Sequence, residues 1–545
     1  MNTHITPHPG LRFQKNAPAR VAKRLCLGHT LGVSKRYYIT TAIDYVNGQP
    51  HLGHAYEKII ADVIARSRRS LGQEVFFLTG LDEHGQKVQQ SAQKENKPTQ
   101  QYCDELAVSW KALARELGLT IDDFVRTTEP RHKQVVQALL NKLNAEGHFY
   151  KSKYRGYYST KEETFLTDKD RLPDGTFDPI YGNVVELAEE NYWFRLKDHQ
   201  QWLIDYIETH PDFVYPDVRR NEVLGFLKNN TLEDLCITRP ASRLSWGIPV
   251  PFDPDYVTYV WFDALVNYVS IPAAHGDPAL KAVASKSSGP ELWPADVHVI
   301  GKDILKFHAV YWPIMLKAAG LPLPQQLLVH GWWQKDGEKL SKTTGNIVEP
   351  LAVIKEWGLD AFRYYVVREL DIGPDGNWTD AGFGARYHAE LANGLGNLVN
   401  RSLSMLKRYR NGVVPERSNE LAPEVEKAVA ATREDLTEYR LQGALQSIWT
   451  IVNRANQYVD QTAPFKLAKD PSHAKRLDAV LYNLAETCRV LAILLWPFIP
   501  GTAAKIFAQL NLPGEPNRFD AAAWGGLNPG HTIGEVAPLF PRKDA

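Results

Sequence analysis

The sequence predicts an α/β fold: a parallel sheet flanked by helices, broken by an inserted region and followed by a separate α-helical bundle. Three observations carry this. Strand-like and helix-like runs alternate over 36–146, the rhythm of a parallel α/β sheet. The alternation stops over 147–255, where tyrosines and turn signals such as "LPDGTFDP" dominate, and resumes over 256–322. From 383 to 511 apolar residues recur at helical spacing throughout, as in "GALQSIWTIVNRANQYV".

Taken in order, residues 1–35 form a basic extension with Arg12, Lys15, Arg20, Lys23 and Arg24, and the first acid in the chain is Asp44. That pattern reads as a disordered extension or as an organelle transit peptide, and it lacks the apolar core of a secretory signal. "RYYITTAI" is β-branched and aromatic, hence a strand. "AYEKIIADVIARSRRSLG" spaces Ile60, Val63 and Ile64 as a helix closing at Gly72. Between them lies "HLGH", so His51 and His54 sit at a strand-to-helix turn. "EVFFLTGLDEHG" is the next strand and ends in a polar loop at Asp82. Ligands of open parallel sheets bind beyond the carboxyl ends of strands, so both loops are candidate site loops. A linker over 323–382 carries "DGEKLSKTTGN", and 512–545 is a tail rich in Gly and Pro.

Bulk properties limit the function classes. A chain of 545 residues exceeds one ordinary core. With 44% hydrophobic and 23% charged residues it is globular. The 63 basic and 63 acidic side chains cancel, so any nucleic-acid surface must be a local patch. Cys26, Cys103, Cys236 and Cys488 are widely spaced and form no CxxC pair, which argues against a disulfide framework and suits a reducing cytoplasm. "VLAILLWPFIP" is too short to span a bilayer and reads as a buried helix end.

A helix N-terminus presents free N–H groups and partial positive charge, a ready site for phosphate. His51 and His54 can add donors there, and a side chain at Gly53 would block the backbone. Taken alone, the pair is a weak signal and reads more readily as a structural turn. "EKLSKT" adds Lys339, Ser341 and Lys342 in a glycine-flanked loop, readable as a solvated turn or as a cationic clamp on a triphosphate.

Together, "HLGH" followed by "KLSKT" resembles the class I aminoacyl-tRNA synthetases, and further blocks resemble their methionyl branch: "AIDYVNGQPHLGH", "LTGLDEHG", "YVWFDALVNY", "GKDILKFHAVYWP" and "HGWWQKDGEKLSKTTGN". The likeness runs from Arg36 to the end. It implies a Rossmann-type catalytic domain (36–146 and 256–322), a connective insertion (147–255), the linker with the KLSKT loop and an anticodon-binding bundle (383–511). It implies an ATP- and Mg²⁺-dependent methionine–tRNA ligase serving initiator and elongator tRNA. His51, His54, Lys339, Ser341 and Lys342 would be catalytic; Gly53, Gly301 and Asp303 would help hold ATP. L-Methionine would meet Ile43, Tyr45, Asp82, Arg239, Trp261, Ala264, Tyr268, Ile304 and His308, where aromatic walls suit a polarizable thioether. Asn397, Arg401, Pro464 and Phe465 would read the anticodon by edge contacts and stacking. Phe465 stands where the family usually has Trp; a staple between helices is the lesser alternative reading.

The insertion is too small for the editing domain of the leucyl, isoleucyl and valyl enzymes. Ser159, Thr160, Lys161 and Glu162 stand where many relatives place a first zinc knuckle, so a zinc-free insertion is expected, held by Tyr154, Tyr157, Tyr158 and Tyr192. The resemblance also implies a cytoplasmic monomer without a membrane anchor. Two rival readings remain: another HxGH nucleotidyltransferase or a synthetase for another amino acid, and a non-catalytic synthetase-like RNA-binding protein.

Overall fold

The computed structural model describes residues 36–46, 50–159, 164–166, 170–284, 288–339 and 346–543. β1 (Tyr37–Thr41) is buried along its whole length. It is followed by β2 (Asp44–Tyr45), α1 (Leu52–Ser70), β3 (Val75–Asp82), β4 (Asp123–Arg126), β5 (Val214–Tyr215), β6 (Val297–Gly301) and β7 (Leu327–His330). Among the described residues these strands form a seven-stranded sheet in the order β2-β3-β1-β6-β7-β5, with β4 also paired to β3. Every pairing in it is parallel. Covered on both faces, such strands read as near-continuous apolar runs, as "VFFL" and "LLV" do here.

β1 lies between β3 and β6, with Ile39 opposite both Phe77 and Val297. The strand order reverses about β1, and the crevice outside such a reversal is where open α/β sheets bind ligands.

The 147–255 stretch, expected to stand outside the sheet, contributes β5, which pairs Val214 with Leu327 and Tyr215 with Leu328. A two-residue strand between helices Gln200–Thr209 and Asp217–Asn229 is too short to show any periodicity. The rest of the insertion centres on an antiparallel ribbon, Phe149–Ser159 against Val184–Phe194. Aromatics do support it: Tyr154 packs on Trp193, Tyr157 on Phe177 and Tyr192 on Phe252, while Tyr158 is buried.

The C-terminal bundle packs helices Asn397–Arg410, Ala422–Thr437, Leu441–Thr462, Ala474–Leu495 and Pro500–Gln509. "VLAILLWPFI" is buried at its centre. The tail docks on it, because buried Glu486 accepts the backbone N–H groups of Gly525, Gly526 and Leu527. No helix among the described residues is long and apolar enough to cross a membrane.

Several side chains join the two halves, and Arg363 makes the most bonds across them. Arg363, on helix Leu359–Glu369, donates to Asp62 of α1 at 2.7 Å, to the Leu117 carbonyl at 3.1 Å, and to the bundle carbonyls of Phe498 and Pro497 at 2.9 and 3.1 Å. Asp62 also accepts from Arg66 at 2.8 Å and from the Thr120 backbone and hydroxyl, both at 2.7 Å. Burial would push its carboxyl up, but the two guanidiniums hold it below the ordinary value.

Candidate active site

His51 caps α1. Its Nδ1 accepts the Gly53 N–H at 3.1 Å, while His54 Nδ1 accepts the His51 N–H at 3.1 Å. This reproduces with imidazoles the reciprocal arrangement that Ser and Glu usually supply at helix starts. An accepting Nδ1 places the neutral ring's proton on Nε2. Both rings are therefore fixed as Nε2–H donors beside a helix N-terminus, their centroids 3.8 Å apart. A Cβ at Gly53 would come within 3.1 Å of the His51 ring, so the glycine spares the capping imidazole as well as the backbone.

The cap opens on a cleft of about 500 Å³ at the carboxyl ends of β1, β3, β6 and β7. Ile43, Tyr45, His51, Gly53, His54, Asp82, Trp261, Ala264, Tyr268, Gly301, Asp303, Ile304 and His308 all line it. Residues separated by more than 250 positions in the chain thus converge on one cleft.

One end is an aromatic slot. Trp261 stacks on Phe307 at 3.8 Å with ring planes 6° apart. His308 Nδ1 lies 2.9 Å from the Ile304 carbonyl and so carries the ring proton, leaving Nε2 to accept the Tyr268 hydroxyl at 2.7 Å. Burial keeps this imidazole neutral, its pKa lowered to about 4. Asp82 stands at the end of β3 beside the slot and is largely buried.

The other end is polar. A Cβ at Gly301 would lie 2.6 Å from Asp303 Oδ1, so only glycine leaves that carboxylate its place. The Trp332 indole donates to Asp303 Oδ1 at 3.1 Å, and Lys302 lies 4.2 Å over the Trp332 ring. Beneath runs a buried charge cluster. Lys58 donates to Glu57 at 2.8 Å and to Asp44 at 3.1 Å, and His330 Nε2 lies 3.2 Å from Glu57. Burial pushes the Asp44 carboxyl up to about 7 despite Lys58. Glu57, also penalised by burial, is held below its ordinary value by Lys58 and His330.

Glu57, Asp44, Phe307, Trp332 and His330 were not among the residues expected here. A signal existed for two of them. Glu57 follows His54 by three on one helix face, and His330 ends a parallel strand at the ligand edge.

Arg239, expected at the substrate carboxylate, is absent from the cleft wall. It is buried in strand Thr238–Pro240, donating to the Thr238 carbonyl at 2.8 Å, with its guanidinium 4.6 Å from the Tyr259 ring centroid. Strand geometry and aromatic partners turn it into the insertion's base, so it holds structure there. Of the KLSKT loop, the structure describes the Lys339 backbone, paired with Gln334, whereas Ser341 and Lys342 lie outside the described residues.

On the bundle, Asn397 is exposed and Arg401 donates to Asp460 at 3.2 Å. Asp460 lies in the last turn of Leu441–Thr462, just before buried Pro464 and Phe465, which is 45% exposed. The four expected residues therefore share one end of the bundle, and Phe465 faces outward rather than stapling helices together.

Of the four positions where a zinc knuckle would start, the structure describes Ser159. Ser159 is a buried hydroxyl donating to the Tyr181 carbonyl at 2.6 Å, and Thr160 to Glu162 lie outside the described residues. Among the described residues no group of three His, Cys, Asp or Glu side chains could hold a metal ion.

Comparison with known proteins agrees with this geometry. The family "tRNA synthetases class I (M)" matches residues 37–176 and 177–403, and "Anticodon binding domain of methionyl tRNA ligase" matches 410–543. The chain is 40% identical to the methionine–tRNA ligase of Fusobacterium nucleatum over 521 residues, covering 94% of this chain and 80% of that one. It is 41% identical to that of Rhizobium meliloti, covering 93% and 98%. Mycobacterium tuberculosis methionyl-tRNA synthetase in complex with methionyl-adenylate superimposes with a TM-score of 0.87 at 37% identity, over 93% of this chain and all of the other. The chain belongs to the methionyl family of class I tRNA synthetases.

Proposed function

We propose that this cleft activates L-methionine with ATP and passes the methionyl group to the 3′ end of methionine tRNA. A methionine carboxylate oxygen attacks the α-phosphorus of ATP. The bond to the bridging oxygen breaks, and pyrophosphate leaves with that electron pair. Asp82 meets the α-ammonium, where a carboxylate gives a charge-assisted bond. The Trp261–Tyr268–His308 slot takes the thioether. His51 and His54 donate to phosphate oxygens as charge shifts toward pyrophosphate, and Asp303 accepts from the ribose. Lys339 and Lys342 clamp the departing pyrophosphate. Mg²⁺ would accompany ATP and offset part of its phosphate charge. Positioning and electrostatics supply most of the catalysis in such phosphoryl chemistry.

The observation that supports this best is the junction itself: two capped imidazole donors, a buried carboxylate and a neutral aromatic slot open into one cleft. ATP–pyrophosphate exchange with each of the twenty amino acids, without tRNA, tests it. Methionine alone is expected to drive exchange. Exchange driven by another amino acid would discard the slot assignment, and none at all would discard activation.

For the RNA end, Asn397, Arg401, Pro464 and Phe465 are proposed to read the anticodon. Phe465→Ala is expected to cost about 1–3 kcal/mol of tRNA binding, the range for one stacked base. Aminoacylation kcat/KM should fall accordingly while tRNA-free exchange stays at the wild-type rate. A parallel fall in exchange would show that Phe465 acts on the fold instead. A monomer working in the cytoplasm with a zinc-free insertion completes the proposal, to be checked by light scattering, localisation of the tagged chain and metal analysis.

A further inference from the structure

Behind the methionine side of the cleft lies a carboxylate to which the reaction above gives no part. Asp263 is fully buried in helix Val260–Ala264. Its Oδ2 accepts from His84 Nδ1 at 2.6 Å, and its Oδ1 accepts from His132 Nε2 at 2.7 Å. Both imidazoles are buried. His132 Nδ1 in turn lies 2.9 Å from the Ser270 hydroxyl.

All of these residues but His132 are near neighbours of a cleft residue in the chain. His84 comes two positions after Asp82, Asp263 lies between Trp261 and Ala264, and Ser270 comes two positions after Tyr268. His132 belongs to helix Pro130–Ala145, packed behind them. The His84 loop is tied a second time, since the Trp246 indole donates to the Glu83 carbonyl and the Gly85 N–H donates to the Trp246 carbonyl at 3.2 Å.

Burial would push the Asp263 carboxyl up, yet the two imidazoles hold it at about 2, so the carboxylate persists at any working pH. Charge-assisted bonds are the short, strong and directional ones, and low dielectric strengthens them further. A carboxylate with both oxygens so engaged fixes the separation of whatever its two donors carry.

We infer that Asp263 is a positioning residue for the amino-acid substrate: with His84 and His132 it sets the span between Asp82, which meets the α-ammonium, and the Trp261–Ala264–Tyr268 wall, which meets the side chain. This rests on the methionine reading above. An amino acid held at both ends is measured for length by that span. The cluster thus bears on which side chain fits, and the polar ATP half of the cleft stands apart from it.

The test is ATP–pyrophosphate exchange by the full chain, comparing wild type with Asp263→Asn. The amide keeps the shape but cannot accept from both imidazoles. The methionine KM is expected to rise about tenfold or more, since a misplacement of about 1 Å can cost as much as 10²-fold. The ATP KM should stay at the wild-type value. The preference for methionine over S-methylcysteine, one methylene shorter, should shrink from the roughly 10–200-fold that a methylene commands. Parallel changes in both KM values, or an unchanged preference, would overturn the inference.

If Asp263→Asn does not fold, His84 decides the matter. His84→Asn places an amide nitrogen where Nδ1 stood and is expected to preserve the methionine KM, whereas His84→Leu should raise it about tenfold. Equal methionine KM values in these two variants would overturn the role. A wild-type chain that exchanges with an amino acid other than methionine, or with none, overturns the methionine reading and this inference together. Wild-type exchange with methionine alongside unaltered variants overturns the positioning role alone.

Discussion

His54→Asn is expected to lower kcat for methionine-dependent exchange by about 10²–10³-fold, the loss found when one preorganised donor to a developing negative charge is removed. The variant is chosen because His54 does two jobs. Its Nδ1 accepts the His51 N–H and completes the cap of α1. Its Nε2–H is the donor proposed for phosphate. An asparagine carbonyl oxygen can take over the first task and has no group for the second. His54→Ala loses both, and should lose about 0.5–2 kcal/mol of stability with the cap as well as the rate. Measured together, exchange and urea unfolding separate the two jobs. An Asn variant that exchanges at the wild-type rate would show that the imidazole is a cap and nothing more.

The second large effect is on stability. Arg363→Met should cost about 3–5 kcal/mol of unfolding free energy, because removing one partner leaves Asp62 buried with its charge poorly compensated. Two bundle carbonyls, of Phe498 and Pro497, lose a donor at the same time. The double variant Asp62→Leu with Arg363→Met should recover part of that loss, since a buried ion pair replaced whole by apolar groups is often close to neutral. Urea unfolding followed by tryptophan fluorescence measures both. A single-variant loss below about 1 kcal/mol, the worth of an ordinary hydrogen bond, would mean that Arg363 adds little to what holds the halves together.

Much of the site was legible because its residues stand where strands end and helices begin. His51 and His54 follow a β-branched run and precede a helical one, and Asp82 closes an apolar strand. Those are local patterns, and the parallel sheet turns them all to one edge. Trp261, Ala264 and Tyr268 rest instead on the family resemblance, which covers them in one short block. Other features leave no local trace. The Glu57–His330 contact joins residues 273 positions apart, and a glutamate and lysine adjacent in a helix read as solvated until a buried partner appears. Arg239, which lies outside the cleft lining, is a related case. Its block resembles a substrate-binding one, but only the fold shows whether the guanidinium faces the cleft or the rings of Tyr158 and Tyr259. β5 escaped because two residues cannot display a period.

The position of β1 has a consequence for how this chain is made. One of its neighbours, β3, leaves the ribosome soon after it, but the other, β6, begins at Val297, beyond the whole insertion. Throughout that interval one edge of β1 offers unpaired backbone groups to any other chain nearby, the exposure that edge strands are normally protected against. Domains tend to fold as units during synthesis, and this unit cannot close until His330 has emerged. The nascent chain is therefore most prone to mispairing while the insertion is being translated. Slower elongation there would prolong the hazard, and neither ATP nor methionine could shorten it, because the cleft that binds them does not yet exist.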